Sequence, residues 1–387
     1  MRPRLRPALV RMWRDQRTLQ FGLDPARALL LTGLDPALAR LLDRLDGTRT
    51  PDQLYESAGR LGVAAGRTRA LLDVLAEADL LEDADAGTPR PGTRHGPGRH
   101  APGPYAPGPH ASGSQAPGRH AGRLARDRLA PDRASASLVR PGPDGGEGVL
   151  ARRAAARVVV RGAGRVGAAT ATLLAAAGVG TVEVGDSRPF CPADAGAAAG
   201  SWDGVRKRRE TAAREALRRV APEVRLSAPP GRTRPDAVVL ATEGLRPEPA
   251  LLERLATACI PHLYADVRET TGIVGPFVDP GRSACGRCLD LYRRDRDPAW
   301  PRLAAQYSAP ARRWEDRPCD GVLATAVAAQ AALQLLIHLD GDTPTATGGT
   351  LEIALPDGAM RRRSWHPNAE CGCGAFAVAT HPRAAAS

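Results

Sequence analysis

Residues 157–186 read Arg157-Val-Val-Val-Arg-Gly162-Ala-Gly164-Arg-Val-Gly167-Ala-Ala-Thr-Ala-Thr-Leu-Leu-Ala-Ala-Ala-Gly178-Val-Gly-Thr181-Val-Glu-Val-Gly-Asp186. The short apolar run from Arg157 is the pattern of a strand buried on both faces. A Gly-x-Gly-x-x-Gly segment follows it at once, then an Ala/Leu-rich helix that Gly178 stops, then a second strand ending on Asp186. This is a complete βαβ unit. Its glycines permit a tight turn and close backbone approach, and the helix N-terminus offers free N–H groups to a phosphate. Asp186 falls where an acid accepts hydrogen bonds from a ribose hydroxyl. The unit predicts a Rossmann-like α/β fold with a mainly parallel sheet, and it does not choose between NAD and ATP.

Downstream, Ala237-Val-Val-Leu-Ala and Pro261-His-Leu-Tyr-Ala-Asp266 read as further buried strands, and 321–340 as an almost wholly apolar, central helix. Cys285-Gly-Arg-Cys288 lies in a Gly-rich loop, and Cys371-Gly-Cys373 stands near the C-terminus. Four thiols in two close pairs suit a tetrahedral structural zinc, with His366 as a substitute ligand and four unrelated reduced cysteines as the plain alternative. Cys191 and Cys259 read as ordinary small residues, Cys259 within an apolar helix. Cys319, just before the central helix, has no assigned role.

Upstream, residues 1–83 spell strand, strand, helix, helix, helix, strand. The strand-like runs begin at Thr18 and Ala28 around an Asp24-Pro25 turn, and Asp35-Pro36 and Thr50-Pro51 start helices in the N-cap, N1-proline manner. The order is that of a small winged-helix α+β domain. Its third helix carries Asp73, Glu77 and Asp79 beyond Arg67 and Arg69, an acidic half that phosphates would repel, so peptide binding is favoured over nucleic acid. Residues 84–150 are rich in Pro, Gly and His, including His95, His100, His110 and His120. They are expected to form a disordered linker. Residues 151–387 then make up the nucleotide-fold domain.

The length of 387 residues fits two or three domains, and the net charge of +12 rests on arginine, Lys207 being the sole lysine. The charge is spread rather than clustered, so it gives no polyanion-binding patch. Seven cysteines, an odd number, argue against a disulfide scaffold. No uncharged apolar run of membrane-spanning length is read, and the basic N-terminus lacks the apolar segment of a signal peptide. A cytoplasmic protein without a membrane partner is expected.

Residues 155–375 resemble the ThiF family of ubiquitin-activating-type adenylyltransferases, through the βαβ unit, EALRRVAPEV, AVVLATE, CGRC, the helix after Cys319, TLEIALPDG and CGC. Residues 1–83 resemble the PqqD-like elements that bind leader peptides. The family resemblance implies ATP- and Mg2+-dependent adenylation of a C-terminal carboxylate, a zinc held by Cys285, Cys288, Cys371 and Cys373, and a homodimer. It places the nucleotide loop on Gly162, Gly164 and Gly167, and the ribose acid on Asp186. A second acid two residues on is replaced by Arg188. The phosphate-clamping Asn and Arg fall near Asp194 and Ala197, where neither is present. The catalytic lysine falls on Arg209, with Lys207 two residues off, and the magnesium-binding Asp falls on Glu243. Adenylyl transfer depends on positioned positive charge, so these changes impair it. The favoured expectation is a ThiF-like protein that binds a precursor leader peptide and presents it to a modifying enzyme such as a YcaO-type cyclodehydratase. An active adenylyltransferase using Arg209, Lys207 and Glu243 is the alternative, and an NAD-dependent oxidoreductase the distant one.

Overall fold

The computed structural model describes residues 2–6, 9–23, 27–85, 126–140, 144–196, 204–231, 233–243, 247–308 and 318–380. The Asp24-Pro25 turn, the four linker histidines and Ala197 lie outside them. In chain order the elements are β1 (Pro3–Leu5), β2 (Arg11–Trp13), β3 (Leu19–Phe21), β4 (Leu29–Leu31), α1 (Pro36–Leu42), α2 (Pro51–Arg60), α3 (Ala65–Glu77) and β5 (Leu81–Asp83). Next come α4 (Ala130–Val139), α5 (Glu147–Ala155), β6 (Arg157–Arg161), α6 (Arg165–Ala176), β7 (Thr181–Gly185), α7 (Arg209–Val220), β8 (Ala237–Leu240), α8 (Pro249–Thr257), β9 (His262–Arg268) and β10 (Thr271–Val278). The chain closes with α9 (Gly286–Arg296), α10 (Trp300–Tyr307), α11 (Gly321–Leu339), β11 (Gly349–Ala354), β12 (Met360–Ser364) and α12 (Ala375–Thr380).

Two compact units result. Within the described residues, the first takes Met1–Pro7, Gln16–Leu19 and Leu29–His120, and the second Ala8–Asp15, Gln20–Ala28 and Ala121–Ser387. In the first, β1 pairs antiparallel with β5, and the three helices bury Leu41, Leu54 and Leu75. Asp35 caps α1 by accepting from the Ala37 and Leu38 amides. Thr50 and Gln53 form a capping box on α2.

The division differs from a boundary at residue 83. β2, which sequence pattern does not reveal, belongs to the second unit: Val10, Met12 and Leu23 share a core with Leu303 and Tyr307. Trp13 exchanges two hydrogen bonds with the Gln306 side chain, each 2.8 Å. The expected structureless stretch 84–150 differs as well, because its C-terminal part forms α4 and the start of α5. Asp144 accepts from the Gly146 and Gly148 amides at the start of α5, and Arg153 at its end pairs with Asp340 at 2.6 Å. Average composition hides such local caps and pairs. Residues 86–125 of that stretch lie outside the described residues.

The second unit is built on a seven-stranded sheet of order β12-β11-β10-β9-β8-β6-β7. β7, β6, β8 and β9 run parallel, and β10, β11 and β12 extend them antiparallel. Val158 and Val160 of β6 enter a core with α6 and α11, while Val159 packs on the opposite face with Leu255 and Ile260. α11 is long and apolar enough to cross a membrane, with a mean hydropathy of 1.8, contrary to the reading that no segment would be. Leu323, Val327, Ala331 and Leu335 pack it in the sheet core, which accounts for its composition. The chain leaves β6 toward β7 on one side and β8 toward β9 on the other. A crevice therefore opens beyond the carboxyl ends of β6 and β8.

Candidate functional site

The Gly-x-Gly-x-x-Gly segment forms the turn from β6 into α6 and lies at that crevice. Gly162 adopts φ +99°, and a Cβ there would stand 1.9 Å from the Ala241 carbonyl oxygen, so no other residue fits. The neighbouring β8 delivers Glu243 in the left-handed region at φ +56°. Its carboxylate lies over the bare face of Gly164, where a Cβ would meet Glu243 Oε1 at 1.5 Å.

Glu243 joins an ionic network that fills the mouth of the crevice. Asp186 Oδ2 accepts from the Ala163 amide at 2.9 Å. Arg188 donates to Asp186 Oδ1 through its own amide (3.1 Å) and Nε (2.9 Å), to Oδ2 through Nη2 (2.7 Å), and stands 2.7 Å from Glu243 Oε2. Arg209, at the first position of α7, is fully buried. Its Nε and Nη2 bind both oxygens of Asp194 at 2.9 and 2.7 Å, and its Nη1 binds Glu243 Oε2 at 2.7 Å. Desolvation works against each charge. For Arg209 it is outweighed by Glu243 and Asp194, so the guanidinium pKa is raised. For Asp186 it is outweighed by the hydrogen bonds from Arg188 and Ala163, so the carboxyl stays below its usual range. For Asp194 desolvation prevails and the pKa is raised.

The structure brings Gly162, Gly164, Gly167, Asp186, Arg209 and Glu243 together at the mouth of the crevice. It does not bring in Lys207, whose Nζ is held by both carboxylate oxygens of Glu215 at 2.8 Å. Asp194 and Arg188, read as gaps in a catalytic pattern, turn out to be structural partners. A signal was present: an acid at 194 accompanies an arginine at 209, and opposite charges placed around one site invite pairing. Arg165, unmarked by the motif, donates to the Ala193 and Cys319 carbonyls, each at 2.5 Å. Burial pushes the Cys319 thiol up to about 12, which leaves it protonated and a weak nucleophile.

As arranged, these residues do not fit ATP and magnesium. Both oxygens of Asp186 are engaged by Arg188, so a ribose must displace a bidentate ion pair. The Glu243 carboxylate puts negative charge against the glycine face that phosphates approach.

A second cluster is well formed for a metal. Cys285 and Cys288 open α9, and Cys371 and Cys373 return from the C-terminal segment. The four sulfurs lie within 4.8 Å of one another. Cys285 Sγ is 3.6 Å from Cys371 Sγ, and Cys288 Sγ is 3.7 Å from Cys373 Sγ. Cys288 receives a hydrogen bond from Cys285, which lowers its pKa and raises that of Cys285. The donor set and spacing can hold one metal ion. His366 is exposed and is not part of the group. Cys259 is exposed too, and it follows α8 rather than lying within it.

The ThiF family profile matches residues 142–375. Among solved structures, E. coli MccB with MccA-N7isoAsn is similar at TM-score 0.51 and 13% identity, over 97% of this chain and 100% of that one. E. coli MccB with ATP is similar at TM-score 0.50 and 12% identity, over 97% and 100%. PaaA is similar at TM-score 0.47 and 16% identity, over 93% and 99%. No curated protein sequence matches the chain.

Proposed function

The chain belongs to the ThiF family, and from that membership we propose that it binds the leader of a ribosomally made precursor peptide and presents it to a separate modifying enzyme, without adenylating it. The observation that carries the reading is the ion network Asp186–Arg188–Glu243–Arg209–Asp194, which occupies the nucleotide crevice with the protein's own side chains. A self-paired site must break several charge-assisted hydrogen bonds before a nucleotide enters. Peptide capture is assigned to the first unit, whose winged-helix reading gives the wing strand and third helix as the binding elements. It is supported by apolar exposure: β4 leaves Leu29 and Leu30 at 38% and 56% accessible, and α3 leaves Val74 at 48%. An extended apolar peptide can add to such a strand. In this reading the four cysteines hold a structural zinc, and the partner is a cyclodehydratase of the YcaO type.

A second reading keeps adenylation. It is favoured by one observation: Arg209 and Glu243, onto which the resemblance puts the family's lysine and aspartate, stand at the glycine loop 2.7 Å apart. Both are tested on the full chain, by titration with ATP–Mg2+ and by pyrophosphate exchange in the presence of precursor peptides. The proposal expects no exchange, and leader binding that Leu30→Asp abolishes. Peptide-dependent exchange would establish the adenylating reading instead.

A further inference from the structure

We infer that the free edge of β12 is a docking strand for a protein partner that presents an acidic, extended segment. The seven-stranded sheet ends on β7 at one side and on β12 at the other. The β7 side is covered by the chain itself: the Val182 amide donates to the Arg225 carbonyl at 2.9 Å, and the Arg225 amide to the Gly180 carbonyl at 3.0 Å. β12 pairs with β11 on its inner side, and all five of its residues, Met360-Arg-Arg-Arg-Ser364, are exposed. Antiparallel pairing alternates the direction of the peptide groups along a strand. The bonds from the Trp365 amide to the Gly348 carbonyl (2.8 Å) and from the Ala354 amide to the Ala359 carbonyl (3.4 Å) fix the phase. Arg361 and Arg363 therefore turn their backbone groups toward Glu352 and Thr350 of β11. Met360, Arg362 and Ser364 turn theirs outward, where no backbone group of the described residues pairs with them.

Charge then selects the occupant. Leu351 and Ile353 mark the core face of the hairpin, and their partners Arg362 and Met360 share it, whereas Arg361 and Arg363 stand on the face of Trp365. The Arg361 side chain is 74% exposed and reaches Asp357 at 3.4 Å, and that of Arg363 is 51% exposed and reaches Glu352 at 3.3 Å. Arg362 has no carboxylate contact among the described residues; its guanidinium donates to the Thr345 and Thr347 carbonyls and to Ser364 Oγ. Arg296, exposed on α9, stands over the Trp365 ring at 5.7 Å, as Arg363 does at 5.8 Å. An added strand thus meets arginine on both of its faces, and side chains directly across a strand pair favour opposite charge. A second copy of this edge is a poor occupant, because an antiparallel pair about Arg362 sets arginine against arginine. Residues 86–125 and 381–387 hold arginine and histidine but no acid, so they do not supply the complement. The fitting occupant is a partner's strand with Asp or Glu at alternate positions, its backbone bonded to the outward groups of β12. The inference requires neither adenylation nor leader capture.

The test uses the full chain and fluorescein-labelled, amidated peptides read by anisotropy. The probes are a Glu-Val repeat, a Lys-Val repeat, and a Glu-Pro-Pro repeat of equal negative charge that cannot form a strand. Expected is saturable binding of the Glu-Val repeat alone. Arg362→Thr removes a charge and keeps the outward amide, whereas Arg362→Pro removes both. The proline leaves the ladder to β11 intact, because the amide it deletes points away from that strand. Arg362→Pro should therefore bind about tenfold more weakly than Arg362→Thr, the value of one hydrogen bond, with a similar melting temperature. If Arg362→Pro does not fold, Arg361→Gln combined with Arg363→Gln takes its place and should also weaken binding. Equal binding of the Glu-Pro-Pro repeat, equal affinity of the two Arg362 variants, or undiminished binding in the double variant would overturn the inference. No saturable binding up to about 1 mM would overturn it too, leaving the arginines as a guard against edge-to-edge aggregation.

Discussion

Arg209 shows how one side chain organises a site. A lysine carries a compact charge that can meet a phosphate, whereas the arginine fork matches one carboxylate with two parallel bonds and still reaches another. Asp194 supplies the first partner and Glu243 the second, and none of Arg209 is exposed. Removing a buried partner strands the remaining charges. Arg209→Met is expected to destabilise the second unit by about 3–5 kcal/mol, measured by urea unfolding. Arg209→Met with Asp194→Leu should recover part of that loss, because the stranded carboxylate is removed too. A single variant as stable as the parent would show that the network contributes nothing to folding.

At the scale of elements, the cysteine cluster ties the start of α9 to the C-terminal segment. Around it Ala284, Leu289 and Trp365 form a small core of their own. Cys285 and Cys371 are 86 residues apart, with β11 and β12 between them, so a metal would clamp the C-terminal segment onto α9. Metal analysis is expected to find one zinc per chain. Cys285→Ser should lose it and lower the melting temperature without altering leader binding. A metal-free parent protein with unchanged stability would remove zinc from the account.

For the whole molecule, pH provides a probe of the packed second unit. His262 is buried, with Nδ1 3.1 Å from the Ile260 carbonyl, and His338 packs on Phe277 with ring centroids 4.8 Å apart. Burial lowers the pKa of both. A histidine with a depressed folded pKa binds its proton more readily when unfolded, so its contribution is present above about pH 6.5 and is lost as pH falls below that value. Chemical denaturation at pH 7.5 and 5.5 should show lower stability at 5.5, by on the order of 1 kcal/mol per pH unit for each histidine. His262→Gln should flatten the dependence. Asp186, with a lowered pKa, acts only below about pH 4 and does not enter this window.

Taken by itself, the sequence determined the βαβ unit, the glycine loop, the caps at Asp35 and Thr50 and the two cysteine pairs. Each is written in residues a few positions apart, where periodicity and turn chemistry act. Only the tertiary structure decided that Arg188, Asp194, Arg209 and Glu243 pair with one another, that Lys207 turns to Glu215, and that β2 joins the second unit. These outcomes depend on which strands lie side by side, and charge reaches its partner through space rather than along the chain. Local pattern therefore fixed the nucleotide fold, while strand adjacency decided that its crevice is filled by the protein's own ions.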